Sequence, residues 1–205
     1  MTGQPEVLTV GHSAHAIETF VALVQQHGVT AIADVRSQPF SRFAPQFNKA
    51  ELTKSLREHG IQYAFLGREL GARSNDPDCY VDGRVQYFRL AQSDEFKSGI
   101  ARVLRGAEVE RISLMCTEKD PLDCHRTVLV ARRLADEGAQ VSHIRADGSI
   151  EPHGQAMDRL MRQLGMQPSL LQTRDEQVEE ALATQEARIA YVDAELAAAS
   201  QRAVS

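Results

Sequence analysis

Residues 116–126 read CTEKDPLDCHR and bring two thiols, an imidazole, a guanidinium and three acids into eleven positions. An apolar run, RISLM, precedes them, and a helix-like TVLVARRLADEG follows. A thiolate, not a thiol, is the nucleophile and the metal ligand, so what matters is which neighbours favour the charged sulfur. Read as a residue in the first turn of the following helix, Cys124 gains from the unpaired N–H groups and the dipole, while Asp123 opposes it. Asp120 or Asp123 supplies the cap of that helix. His125 and Arg126 are cations at the unfavourable end of the dipole, which points to a use beyond helix stability. With the backbone N–H groups, Arg126 would form an anion-binding pocket. Cys116 ends the apolar run, where a free Cys is either a small core residue or a site residue.

The same residue types raise the question of a metal. Cys116, Cys124 and His125 are zinc ligand types, with Glu118 or His12 to complete a set. The C-x7-C-H spacing is not a usual one, and neighbours on a helix point about 100° apart. No metal ligand set is therefore expected. A cysteine phosphatase needs Arg six positions after its Cys, and those positions hold Leu122 and Val130.

Two further motifs carry chemistry. TVGHS (9–13) offers His12 and Ser13, and His is suited to proton transfer near neutral pH. DVRSQPFSR (34–42) offers Asp34 as a base or acceptor and Arg36 as an anion holder. An internal Asp34–Arg36 pair is the alternative, because both are costly to bury alone. Segment 36–73 holds seven Lys/Arg against three Glu, with Phe40, Phe43 and Phe47 interleaved. That composition suits a nucleic-acid strand with stacked bases, or equally a solvated face over core aromatics.

The elements that must position these groups alternate. Strand-like runs at 6–12, 30–36, 61–66, 111–116 and 139–145 are separated by helical patterns at 16–28, 48–60, 85–107 and 124–138. Asn48 suits an N-cap, and Gly28, Gly60 and Gly138 suit helix ends. In the 85–107 helix Phe88, Leu90, Phe96, Ile100, Val103 and Leu104 are the apolar positions. Alternation of this kind means βαβ units and a mostly parallel sheet, with ligands outside the carboxyl ends of the strands. Those ends are His12–Ser13, Asp34–Arg36, Leu66–Arg68 and Cys116. Segments 37–47 and 67–84 read as long loops. Residues 174–205 are rich in Ala and Glu, and Val178, Leu182, Ile189, Val192 and Leu196 form one helical stripe. That stripe packs on its own domain or forms a homodimer seam.

With 205 residues and a net charge of −5, the chain suits one α/β domain over 1–170 with a helical tail over 171–205, and not a general nucleic-acid coat. Three cysteines make no disulfide framework, no run is long enough to span a membrane, and no secretory leader is visible, so a cytoplasmic setting is expected. Cys79 is incidental.

In order, TVGHS, IADVRSQPFSR, GIQYAFLGRELG and LMCTEKDPLDCHR resemble the DUF488 family from about residue 7 to 145. The resemblance implies a three-layer α/β sandwich. It implies a site at His12, Asp34, Arg36, Ser41, Arg42, Leu70–Gly71 and the C-x-E-x5-C-H-R motif of Cys116, Glu118, Cys124, His125 and Arg126. It supplies no reaction and no cofactor. Three functional readings follow. The first is a hydrolase- or transferase-like enzyme, or a binding protein, for a phosphorylated ligand such as a nucleotide or nucleic-acid end. In it Ser13, Arg36, Ser41, Arg42 and Arg126 bind, and His12 or His125 moves protons, oriented by Asp34 or Glu118. The second is a non-enzymatic nucleic-acid module using 36–73. The third is a thiol redox or metal site at Cys116, Cys124 and His125.

Overall fold

Short runs rich in β-branched and small apolar residues become strands, and the longer amphipathic stretches between them become helices. The strands are β1 (Glu6–Gly11), β2 (Ala31–Asp34), β3 (Gln62–Phe65), β4 (Tyr80–Val81), β5 (Arg84–Val85), β6 (Ile112–Cys116), β7 (Gln140–Ile144) and β8 (Ile150–Pro152). The structure is a computed structural model and describes residues 4–204; positions 1–3 and 205, at the outer ends of the two expected spans, lie outside the described residues. The main sheet runs β3-β2-β6-β1-β7-β8. Its first five strands are parallel and β8 is antiparallel to β7.

Successive side chains of a strand point to opposite faces, so each central strand feeds two cores. Leu8, Val10, Ile32 and Met115 meet α1 (Ile17–Gln26) and α2 (Lys49–Glu58) on one face. Val7, Ala33, Leu114, Cys116 and Val141 face the other layer. That layer includes α5 (Asp94–Ala107), a π-helical turn (Arg126–Ala131) leading into α6 (Arg132–Asp136), α7 (His153–Gln163) and α8 (Arg174–Ile189). The result is a three-layer α/β sandwich with a mostly parallel central sheet and helices at the C-terminus. Cys116 therefore ends a strand that is flanked on both sides, by β1 and β2.

Several expectations need correction. Segment 67–84 is not an open loop. It holds the short helix α3 (Gly67–Leu70), a 3-10 turn and the β4–β5 hairpin. Asn48 precedes α2 but does not cap it, because its Oδ1 accepts the Ser41 N–H at 2.7 Å. Helix 85–107 divides into α4 (Tyr87–Gln92) and α5, and Phe88 is 73% exposed rather than core. The tail is two helices, α8 and α9 (Ala194–Val204), broken at Ala190 where the backbone turns extended. Leu182 is buried in the same apolar cluster as the sheet, and Val178 and Ile189 pack against it. Those three stripe positions are thus covered by their own domain, whereas Val192 of the same stripe is 45% exposed. Among the described residues no helix is long and apolar enough to cross a membrane.

Beneath α7 lies a buried polar line. Thr9 Oγ1 is 2.8 Å from His143 Nδ1, and His143 Nε2 is 3.1 Å from His153 Nδ1. Burial holds His143 well below its usual range, helped by His153, Arg126, Arg159 and Arg145. Burial, with Arg174, lowers His153 to about 4. Both rings are neutral in the fold, whereas the unfolded chain protonates them below about 6.5. Stability is then full above about pH 6.5 and falls as the pH drops toward 4. At pH 5 the loss from His153 is about 2 kcal/mol. Urea denaturation at pH 7 and pH 5 checks this, and His153→Gln should reduce the difference; an unchanged pH difference would remove His153 as its source.

Candidate functional site

The turn from β6 into the next helix builds the site. The amides of His12 and Ser13 donate to the carbonyls of Cys116 and Thr117, both at 2.9 Å, which ties the turn to the end of β1. Ser13 holds a positive φ of 49° to make that contact. Asp120 caps a 3-10 turn (Pro121–Asp123) by accepting the Leu122 N–H at 3.0 Å. It also takes two hydrogen bonds from Arg159, both at 2.9 Å.

Cys124 is not in the first turn of a helix. Its backbone is extended (φ −139°, ψ 139°), and the helix begins after it. Its carbonyl accepts the N–H groups of Thr127 and Val128, and its Sγ accepts the Arg126 N–H at 3.4 Å. Cys124 is itself the cap, and it faces back toward Cys116. The geometric objection to a shared ligand set, that residues 124 and 125 diverge on a helix, falls with this conformation.

His125 completes the cluster. Its Nε2 is 3.0 Å from the Val35 carbonyl. A carbonyl only accepts, so Nε2 carries the hydrogen and, in the neutral ring, the lone pair sits on Nδ1. Nδ1 lies 3.8 Å from Cys116 Sγ and 3.9 Å from Cys124 Sγ. Glu118 Oε2 lies 2.8 Å from Cys124 Sγ, a separation that requires one proton between them. The hydrogen bond with Cys124 and burial push the Cys116 thiol well up. Burial opposes ionisation of Cys124, but the Cys116 hydrogen bond, the Arg126 charge and His125 outweigh it and hold the thiol well down. Burial and the adjacent sulfur raise Glu118. Burial works against charge on His125, and the Cys124 sulfur raises it.

A cavity of about 320 Å³ opens over this cluster. Cys116, Glu118, Cys124 and His125 line one side, while Arg36, Gln38, Phe40, Arg73, Tyr87, Ile189 and Tyr191 contribute to the rest. The Arg73 guanidinium rests on the Tyr191 ring at 4.2 Å.

The other expected site residues are placed differently. Asp34 and Arg36 pair with each other at 2.7 Å, and Asp34 also accepts the Tyr63 hydroxyl at 2.8 Å. Asp34 is therefore not free to act as a base, and only Arg36 of the two reaches the cavity. His12 is stacked on Phe47, donates from Nδ1 to the Ser13 carbonyl, and accepts Arg36 NH1 on Nε2 at 3.3 Å. Burial and Arg36 lower it to about 4, so it is a neutral prop for Arg36 and not a cavity residue. Arg126 is fully buried and donates to the carbonyls of Glu118 and Lys119 at 2.7 and 3.5 Å. Expected as an anion holder, it instead clasps the turn backbone and is not among the residues that line the cavity. Ser41 accepts the N–H groups of Phe43 and Ala44, Arg42 is exposed, and neither they nor Ser13 line the cavity. Leu70 is core, and Gly71 packs on Ser37.

Tyr87, Ile189 and Tyr191 were not foreseen. Tyr87 begins α4, where its N–H donates to Glu186 of α8 at 2.7 Å, and Tyr191 follows the tail break. No local spacing ties these positions to residue 116; only the packing of α8 does.

No curated protein and no solved structure gives a significant match to the chain. A family model described as a domain of unknown function, DUF488, matches residues 16–133, which takes in Asp34, Arg36 and the whole 116–126 turn but neither His12 nor the tail. That match covers more than half of the sequence, and the chain belongs to the DUF488 family.

Proposed function

We propose that this chain is a hydrolase-like enzyme for a small phosphorylated ligand, acting at the cavity over the β6 turn. One observation supports the reading: reactive groups and cations share one cavity, with Cys116, Glu118, Cys124 and His125 on its floor and Arg36 and Arg73 among its other lining residues. Cations there suit phosphate oxygens. Glu118 is the proton-transfer group, because it is the cavity-lining carboxyl that lies 2.8 Å from Cys124 Sγ and shares a proton with it. In the reaction, water attacks phosphorus and the P–O bond to the leaving group breaks. The proton that Glu118 shares with Cys124 passes to the leaving oxygen, and the proton of the water then takes its place on the carboxylate.

The test measures phosphate release from nucleoside phosphates and nitrophenolate release from p-nitrophenyl phosphate and its diester. Glu118→Gln should lower turnover by roughly 10²–10⁴-fold, as expected for a general acid–base group. Arg73→Ala should raise KM more than it lowers kcat. Absence of turnover together with no thermal stabilisation by phosphate or nucleotides would overturn the reading, as would turnover indifferent to both substitutions.

A second reading, nucleic-acid binding through 36–73, draws on Phe40 and Phe43. They are 67% and 97% exposed on either side of Arg42, whereas Phe47 is core. Exposed rings beside cations are a stacking platform for bases. Such binding would weaken steeply with salt.

A further inference from the structure

We propose that Cys116, Cys124 and His125 form a binding site for one thiophilic divalent cation of the zinc class, with its fourth position turned toward the cavity beside Glu118. The proposal deepens the reading above only in what the cation would serve; the binding itself stands on the ligand geometry.

The two sulfurs and His125 Nδ1 all lie within 4.8 Å of one another. In a tetrahedral site with Zn–S about 2.3 Å and Zn–N about 2.0–2.1 Å, ligand atoms sit about 3.5–3.8 Å apart. The two sulfur-to-nitrogen distances here are 3.8 and 3.9 Å. Movements of a few tenths of an ångström on those edges would suffice for bonding distance.

The surroundings are also those of a ligand set. A ligating histidine usually donates its other ring N–H to a carbonyl or carboxylate, which fixes the tautomer and the ring plane. His125 does this to the Val35 carbonyl, and its Nδ1 lone pair faces the sulfurs. The Arg126 N–H points at Cys124 Sγ, a contact that offsets charge on a thiolate ligand. The scaffold is rigid, because β6 lies between β1 and β2 and the turn is clasped by Arg126 and Arg159. Two thiolates would balance the charge of a divalent cation. Three protein ligands with one position open to a cavity is the pattern of reactive zinc sites, not closed structural ones. Glu118 Oε2, already 2.8 Å from Cys124 Sγ, is a cavity-lining carboxylate beside the ligand set.

The experiment uses the full chain, reduced and stripped with a chelator, and titrates it anaerobically with Co(II). One equivalent should bind with sulfur-to-cobalt charge-transfer absorption and tetrahedral d–d bands, and zinc should displace it. Zinc should protect Cys116 and Cys124 from alkylation in the wild-type chain, with Cys79 unaffected. Cys124→Ser should weaken binding by more than the roughly 10–100-fold typical of losing an outer-shell partner. Cys79→Ser and Glu118→Gln should retain the cobalt spectrum. Substoichiometric uptake, an octahedral spectrum, or alkylation of Cys116 and Cys124 indifferent to zinc would overturn the site, and the alkylation arm needs no variant to fold. Cobalt binding without turnover of the phosphate panel would sink the enzymatic reading alone. Turnover without cobalt uptake would sink the cation site alone.

Discussion

Asp34→Ala is expected to cost about 3–5 kcal/mol of folding stability, the range for breaking a buried ion pair from one side. Asp34 is fully buried and the Arg36 side chain is 5% exposed. Asp34 Oδ1 accepts the Arg36 backbone N–H and Nε at 3.1 and 2.9 Å, and Oδ2 accepts NH2 at 2.7 Å and the Tyr63 hydroxyl at 2.8 Å. Removing the carboxylate leaves a guanidinium in a nearly dry site with only the Phe47 carbonyl and His12 Nε2 as partners. An unpaired buried charge is what makes such losses large. Urea denaturation followed by circular dichroism measures the effect. The double variant Asp34→Leu with Arg36→Met should recover most of the loss, because apolar groups of similar volume need no partner. A loss below about 1 kcal/mol would mean that the pair behaves as a solvated surface bridge.

Gly11→Ala is the second large effect, and its cause is space. Gly11 does not adopt a positive φ, so its backbone conformation is open to any residue. A Cβ there would lie 1.9 Å from the Glu118 carbonyl oxygen and 3.2 Å from Arg126 NH1. The obstacle is backbone, and that carbonyl is the acceptor that holds Arg126. Overpacking a core commonly costs about 1–3 kcal/mol, and a clash with a clamped carbonyl belongs at or above the top of that range. The turn must move, and it carries Glu118 away from Cys124. Gly11→Ala should therefore lower Tm and also change the alkylation rate of Cys124. A variant with wild-type Tm and wild-type thiol reactivity would show that the turn yields freely.

The sheet was legible because hydrophobic period and length act locally. ISLMC and AIAD carry strand-forming residues, and FVALV carries a helical face, whatever the rest of the chain does. Parallel strands then bring residues 12, 34 and 116 to one edge, so the site's region followed from topology. What each group does there was less legible. Asp34 and Arg36 read as site residues with an internal pair as the alternative, and the buried surroundings make them a pair from which Arg36 alone reaches the cavity. Arg126 read as an anion holder because its sequence position is a helix start, but a side chain that long turns back to clasp the Glu118 carbonyl. The helical run that follows Cys124 places it in the helix by sequence, yet the 3-10 turn at Pro121–Asp123 delays the helix and leaves Cys124 extended. The β8–α7 unit left weak local signals after residue 145. Phe88 and Phe43 show the limit of apolarity as a burial signal, since both face solvent.

Ile189 and Tyr191 belong to the wall of the cavity but come from beyond the segment that defines the family. The chain crosses to them through a linker in which Leu170 and Leu171 are fully exposed. Exposed linkers of this kind are where proteases cut most readily. A cut there, followed by release of α8, would strip Arg73 of the ring it rests on and free the site turn from Gln185, whose amide donates to the Leu122 carbonyl at 3.0 Å. One wall of the cavity and one brace of its turn thus depend on chain that lies outside the family segment.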